Sequence, residues 1–280
     1  MNRLFISFAF LLIMSLNAQV KVPAASPATK VSQTVGLTEV EIQYNRPSTK
    51  GRKIFGDLVP FGKMWRTGAN LNSTISFSDD IVIDGKTLPK GKYSIFVTPK
   101  VDAWEVFFYK DVDNWGIPEK WSDERVALST TAKPQVLSQH IETFTLAINQ
   151  LNSDFAHLDL SWEKTLISIK FEVPTQKNAM ASINKTMAGP AFSDYYAAAQ
   201  YYFMSDNQMP KALEYINKAI ELKGSETPFW YTRLKSQIQA KLGDKKGAIE
   251  TAKISLVAAE KAANADYVKM NKDSIAEWSK

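Results

Sequence analysis

The 280-residue chain has no cysteine and only two histidines, His140 and His157. Without cysteine there can be no disulfide, thiolate metal site, cysteine nucleophile or lipidated cysteine at a processed N-terminus. A chain of this length buries enough apolar surface to fold without covalent staples, so export remains compatible with that absence. Two histidines do not make an imidazole-rich metal centre, and no third ligand signature accompanies His157 and Asp159. Long apolar runs are missing too. The longest, Leu4 to Leu16, falls short of the ~20 residues that a helix needs to cross a bilayer.

That short run has a use of its own. Arg3 precedes it and Asn17-Ala18-Gln19 follows it, which is the pattern of a secretory signal peptide over residues 1–18, cleaved after Ala18. The mature protein is therefore expected in the periplasm or outside the cell, with no membrane span. Its charge is nearly balanced. Residues 19–176 carry 18 basic and 18 acidic side chains, and residues 177–280 carry 15 against 11. No basic stripe with interleaved aromatics runs through either part, so nucleic acid is not an expected partner.

Locally the balance breaks. Arg46 to Arg66 holds six basic residues and one acid, Asp57, while Asp102 to Glu124 holds seven acids against Lys110 and Lys120. The basic stretch extends to Asn70 and mixes Gly and Pro with the apolar anchors Ile54, Leu58, Val59 and Trp65. It reads as a firmly held loop that presents positive charge. Arg46, Arg52 and Arg66 can each offer a planar fork to a carboxylate or phosphate, and Trp65 can add a stacking face. Thr67 and Asn70, beside the permissive backbone of Gly68, add hydrogen-bonding capacity. These six residues form the expected site for an anionic or glycan-like ligand, or for an envelope partner protein. The same composition also fits a loop in which Trp65 is core and Arg66 pairs with an internal acid. Trp115 and Trp121 mark a second candidate rim.

Residues 31–174 read as strands. Val40, Ile42 and Tyr44 alternate with polar neighbours, and Ile75–Ser78 and Ile81–Ile83 follow. Asp84-Gly85 is a two-residue hairpin signal, because both tolerate positive φ. Leu88-Pro89-Lys90-Gly91 marks a further turn. Strands are then expected at 93–97, 104–109, 126–132, 142–151, 155–162 and 166–173. Many short strands without an intervening helical pattern predict an antiparallel sandwich or open barrel over residues 19–175. After Pro174 the period changes: a linker with a short helix over 176–192 leads to an all-α region over 193–280. There Tyr195, Ala198, Tyr202 and Ala212 match Tyr231, Leu234, Ile238 and Ala248 at a thirty-six-residue offset. Such spacing resembles tetratricopeptide helical hairpins.

The ordered string from Arg46 to Asn70, through Ile75–Ser78, Leu88-Pro89-Lys90-Gly91-Lys92-Tyr93-Ser94 and Trp104–Lys110, resembles the bacterial domain of unknown function family 2911. The resemblance spans residues 22–175 and implies an envelope-exported β domain, often followed by helices. It brings no substrate, cofactor or catalytic residue.

Catalytic constellations are correspondingly weak, and no cofactor or metal is expected. His157, Asp159 and Ser161 share one strand face, but such neighbours lie about 7 Å apart, too far for a triad. Asp79, Asp80 and Asp84 flank a turn and lack calcium-loop spacing. Asn72-Ser73-Thr74 matches a glycosylation pattern without other support. The expectation is a non-catalytic binding module. One alternative is a hydrolase or isomerase acting on an envelope glycan through Asp57, Asp79 or His157. Another is peptide binding by the helical region alone.

Overall fold

The computed structural model describes residues 22–187 and 189–280. The expected signal peptide, residues 1–18, lies outside them. The chain divides between Pro174 and Thr175 into two units, each with its own apolar core.

The first unit consists of two antiparallel sheets and no closed barrel. Its strands are β1 (Ala28–Val35), β2 (Thr38–Asn45), β3 (Thr74–Phe77), β4 (Ile81–Ile83), β5 (Lys86–Leu88), β6 (Gly91–Thr98), β7 (Trp104–Tyr109), β8 (Val126–Ala132), β9 (Gln135–Asn149) and β10 (Phe155–Glu172). One sheet runs β1-β2-β3-β6-β7-β8 and the other β5-β4-β10-β9. Period-two alternation supplies the shared core: Val40, Ile42 and Tyr44 of β2, Val106 and Phe108 of β7, and Leu146, Leu158 and Leu160 from the second sheet are all buried in it. The central strand β6 is buried on both faces. Tyr93, Ile95 and Val97 enter the core, while Phe96 packs outward under Trp121, which stacks on Tyr109 at 4.4 Å.

Asp84 and Gly85, both at positive φ, make the β4–β5 turn as the dipeptide suggested. Strand β9 begins seven residues earlier than expected, at Gln135. Its first half alternates weakly, because little of it is buried, and so gave no period-two signal. The long β10 doubles back on itself. Val173 N donates to Asp154 O at 2.8 Å, and Glu163 at φ 55 turns the chain, so 155–162 and 165–172 lie side by side as two arms.

The second unit contains α1 (Thr175–Thr186), α2 (Phe192–Met204), α3 (Met209–Lys223), α4 (Phe229–Lys241), α5 (Lys245–Lys261) and α6 (Ala265–Trp278). The thirty-six-residue echo is a packing repeat. Ala198, Tyr202 and Ala212 are buried in α2 and α3, and Leu234, Ile238 and Ala248 are buried in α4 and α5. Small residues at 212, 219, 248, 252 and 259 allow close approach of the helices. Pro210 occupies the first turn of α3. Asp244 and Asn264 cap α5 and α6 by accepting from Gly247 N and Tyr267 N. No helix among the described residues is long and apolar enough to cross a membrane.

Candidate functional site

The basic segment between β2 and β3 is a flap fastened to both sheets. On the β9 side, Thr49 N donates to Glu142 O at 2.8 Å and Phe144 N donates to Pro47 O at 2.9 Å. On the β6 side, Trp65 and Val97 exchange backbone bonds of 2.7 and 3.0 Å. Between these attachments Ile54, Phe55 and Val59 turn into the core. Leu58, expected as an anchor, is instead 46% exposed. The turn closed by Val59 N on Ile54 O gives the inward place to Phe55 and points Leu58 out.

The three arginines are placed differently. Arg46 donates through Nε to Phe144 O at 3.1 Å and through Nη2 to Thr145 Oγ1 at 2.8 Å, tying the flap root to β9. Arg52 donates to Thr49 O at 2.9 Å and Ser48 O at 2.7 Å, closing its own turn while remaining exposed. Arg66 is half-buried, and its Nε is buried with no hydrogen-bond partner among the described residues. No ion pair among the described residues links the flap to the acidic stretch 102–124. The two do adjoin: Asn72 N donates to Asn114 O at 3.3 Å, and a Cβ on Gly116 would lie 3.5 Å from Arg66 Nη1. Two acids of that stretch are ion-paired elsewhere, Asp111 with Arg125 and Glu105 with Lys100.

Trp65 is part of an aromatic cluster, stacked on Trp162 at 5.7 Å and edge-on to Phe144 at 5.1 Å. Its Nε1–H donates to Gly68 O at 3.1 Å, so it forms a wall rather than a free platform. The turn that follows is strained. Thr67, a β-branched residue, sits at φ 57, a region that such side chains disfavour, and Asn70 follows at φ 60, which asparagine tolerates. Thr67 is fully buried with Oγ1 unpartnered, and Asn114 Nδ2 is likewise buried without a partner. Asn70 Nδ2 reaches Ser26 O at 3.5 Å. Gly68 is required here: at φ 147, an added Cβ would stand 2.8 Å from Ser73 Oγ and 3.1 Å from Asn45 O.

Above this turn lies an open cleft of about 630 Å³, lined among others by Lys50, Arg52, Leu58, Trp65, Arg66 and Trp162. Its lining includes those three cations and no Asp or Glu. Glu142 stands just outside, where its carboxylate accepts from Thr49 Oγ1 and from Lys50 N at 2.9 Å. The Thr49 hydroxyl, then the Lys50 amide, hold its pKa below the ordinary carboxylate value. Thus the rim offers cationic forks and amphipathic walls and presents no acid of its own. Gly116, which adjoins Arg66, and Asn114, which accepts from Asn72 N, were missed in the sequence. They sit in an irregular acidic stretch, and only Gly116, at φ 104, hints at a built turn.

A second polar constellation forms on β10. Ser168 from the returning arm donates to Asp159 Oδ1 at 2.5 Å and meets His157 Nδ1 at 2.9 Å, and Asn149 Nδ2 donates to Asp159 Oδ2 at 2.8 Å. Serine here lies between the carboxylate and the imidazole. A nucleophilic triad needs the imidazole in the middle to take the serine proton. The hydroxyl proton is committed to Asp159, so the chain satisfies a buried carboxylate and activates no nucleophile. Asp57 lies on the flap turn, Asp79 accepts from Thr38 Oγ1 at 2.9 Å, and neither they nor His157 line the cleft. Asp80 and Asp84 accept from Lys90 N and Thr130 Oγ1, tying turns. Asn72 is buried and bonded to Ser94 and Gly116, which makes it a structural residue. Trp115, of the second expected rim, is 72% exposed, whereas Trp121 is packed on β6 and β7. No group of three or more His, Asp or Glu side chains among the described residues could hold a metal ion.

The family model described as a protein of unknown function (DUF2911) matches residues 26–171. No curated protein and no solved structure matches.

Proposed function

We propose, for a chain that belongs to the DUF2911 family and inherits no activity from it, that it is an exported, non-catalytic binding module. Its ligand is an anionic, glycan-like molecule of the cell envelope, held in the flap cleft. One observation carries this reading: Arg66 is half-buried at the wall of an acid-free cleft with its Nε unpartnered. Withdrawing a guanidinium from water without a counter-charge is unfavourable by several kcal/mol, and a carboxylate or phosphate from outside removes that penalty. Lys50 and Arg52 add longer-range attraction at the rim. The exposed Leu58 and the half-buried Trp65 give the apolar surface that a sugar ring covers.

Titration calorimetry with an oligogalacturonate and its methyl-esterified, neutral counterpart tests the reading. The acidic form is expected to bind at least about tenfold more tightly, the equivalent of one charge-assisted contact. Its affinity should fall with added salt, and Arg66→Met should remove the preference. Equal affinity for the two forms, or an unchanged preference in Arg66→Met, would overturn it.

A further inference from the structure

Four loops meet at one end of the first unit. The flap pairs with the end of β6 and the turn after it, through Trp65 opposite Val97 and through Gly62 N, which donates to Pro99 O at 2.8 Å. That turn adjoins the one between β8 and β9, because Trp104 pairs with Ala132. The start of β9 lies along the turn of β10, where Val136 pairs with Thr165. Glu163 of the same turn accepts from Ile54 N of the flap at 3.3 Å, which closes the circuit. The side chains that these loops expose therefore share one end surface.

Every loop contributes an exposed lysine: Lys53 and Lys63 from the flap, then Lys100, Lys133 and Lys164. Of the five, Lys100 alone has an ion pair among the described residues, with Glu105. Against them stand Asp57, Asp102 and the Ile54-bonded Glu163, and Lys50 and Arg52 at the adjoining cleft rim widen the basic excess. Apolar side chains stand among these charges. Val136 is 89% exposed, Val101 72% and Phe61 45%, and Phe61 and Val101 flank the bond between Gly62 and Pro99. Single exposed apolar residues are ordinary on a protein surface. Here three come from separate loops of one end and are set among unpaired lysines.

The form of the surface selects its partner. A protein interface is built around a continuous, close-packed apolar centre, and these side chains stand on separate tips. Lysine offers a point charge on a flexible stem rather than the planar fork that reads one anionic group. Separate tips among point charges suit a fluid interface, where each tip enters between headgroups and the lysines meet a diffuse negative charge. We propose that this end of the β unit docks peripherally on an anionic lipid surface, with Phe61, Val101 and Val136 in the headgroup region and Lys53, Lys63, Lys133 and Lys164 on the lipid phosphates. The docking does not depend on what the flap cleft holds.

The test uses residues 19–280 and sedimentation with vesicles of phosphatidylcholine, alone or mixed with phosphatidylglycerol. Binding to the anionic vesicles is expected to exceed binding to the neutral ones by about tenfold or more at low salt, and to fall as salt is added. Val101→Ser combined with Val136→Ser, both outside the core, should weaken it by about fivefold or more with an unchanged melt. Lys133→Gln combined with Lys164→Gln should do the same, whereas Lys253→Gln on the exposed side of α5 should retain binding. Because the chain has no cysteine, an environment-sensitive dye on Val136→Cys reports the site. Its emission should move to the blue on anionic vesicles, and that of a dye on Lys253→Cys should not. Equal binding to both vesicles, binding to neither, or a dye shift at Lys253→Cys as large as at Val136→Cys would overturn the proposal. So would full binding by the double-valine variant together with complete displacement by soluble dextran sulfate, since the surface would then receive any polyanion.

Discussion

Arg46, Arg52 and Arg66 look alike in the sequence and do three different things in the fold. The sequence marked the loop that carries them, from its charge, its glycines and its apolar anchors. It could not tell which fork stayed free, because that depends on which β9 carbonyls the flap meets across about a hundred residues of chain. The differences are measurable. Arg46→Ala leaves Phe144 O without its side-chain donor and is expected to destabilise the protein by about 1–3 kcal/mol in urea denaturation. Arg66→Met removes an uncompensated charge and should be neutral or stabilising in the same experiment. Glu142 gives a pH signature. Its carboxyl is held below the ordinary 4.5, chiefly by Thr49, so its bonds stabilise fully above that value and are lost as the solution becomes more acid. The melting-temperature advantage of the parent over Glu142→Gln should therefore be present near neutrality and shrink between about pH 5 and pH 3.

At the level of elements, most of the strand positions and the thirty-six-residue helical repeat were legible, because alternation and helical spacing report burial directly. The turned-back β10 was read correctly as two runs, 155–162 and 166–173, yet their pairing was not visible. A one-strand view separated His157, Asp159 and Ser161. The hairpin brought Ser168 instead, a residue that sequence proximity would never select. Helix termini were easier, since Leu242-Gly243-Asp244 advertises a stop and a cap. Gly247 gives a test against simple propensity. Alanine is the better helix former, but a Cβ there would collide with the Asp244 carboxylate and come within 2.6 Å of Gln239 Nε2. Gly247→Ala should therefore lose the cap and lower stability by about 0.5–2 kcal/mol, read from the midpoint of chemical denaturation.

For the whole molecule, the change of period at Pro174 corresponds to a change of core, and each unit buries its own apolar cluster. Residues 22–174 and 175–280 expressed separately are expected to give β-type and helical circular dichroism, each with a cooperative melt. A featureless spectrum from either fragment would mean that the two depend on each other. The pattern of residues marked the basic segment as firmly held, but not where it is sewn down, to β9 by its root and to β6 by Trp65. A ligand arriving at Arg66 would find a socket already finished. Capture would then be a one-step encounter, proportional to concentration without a plateau in stopped-flow traces, and discrimination between ligands would reside in how long each one stays.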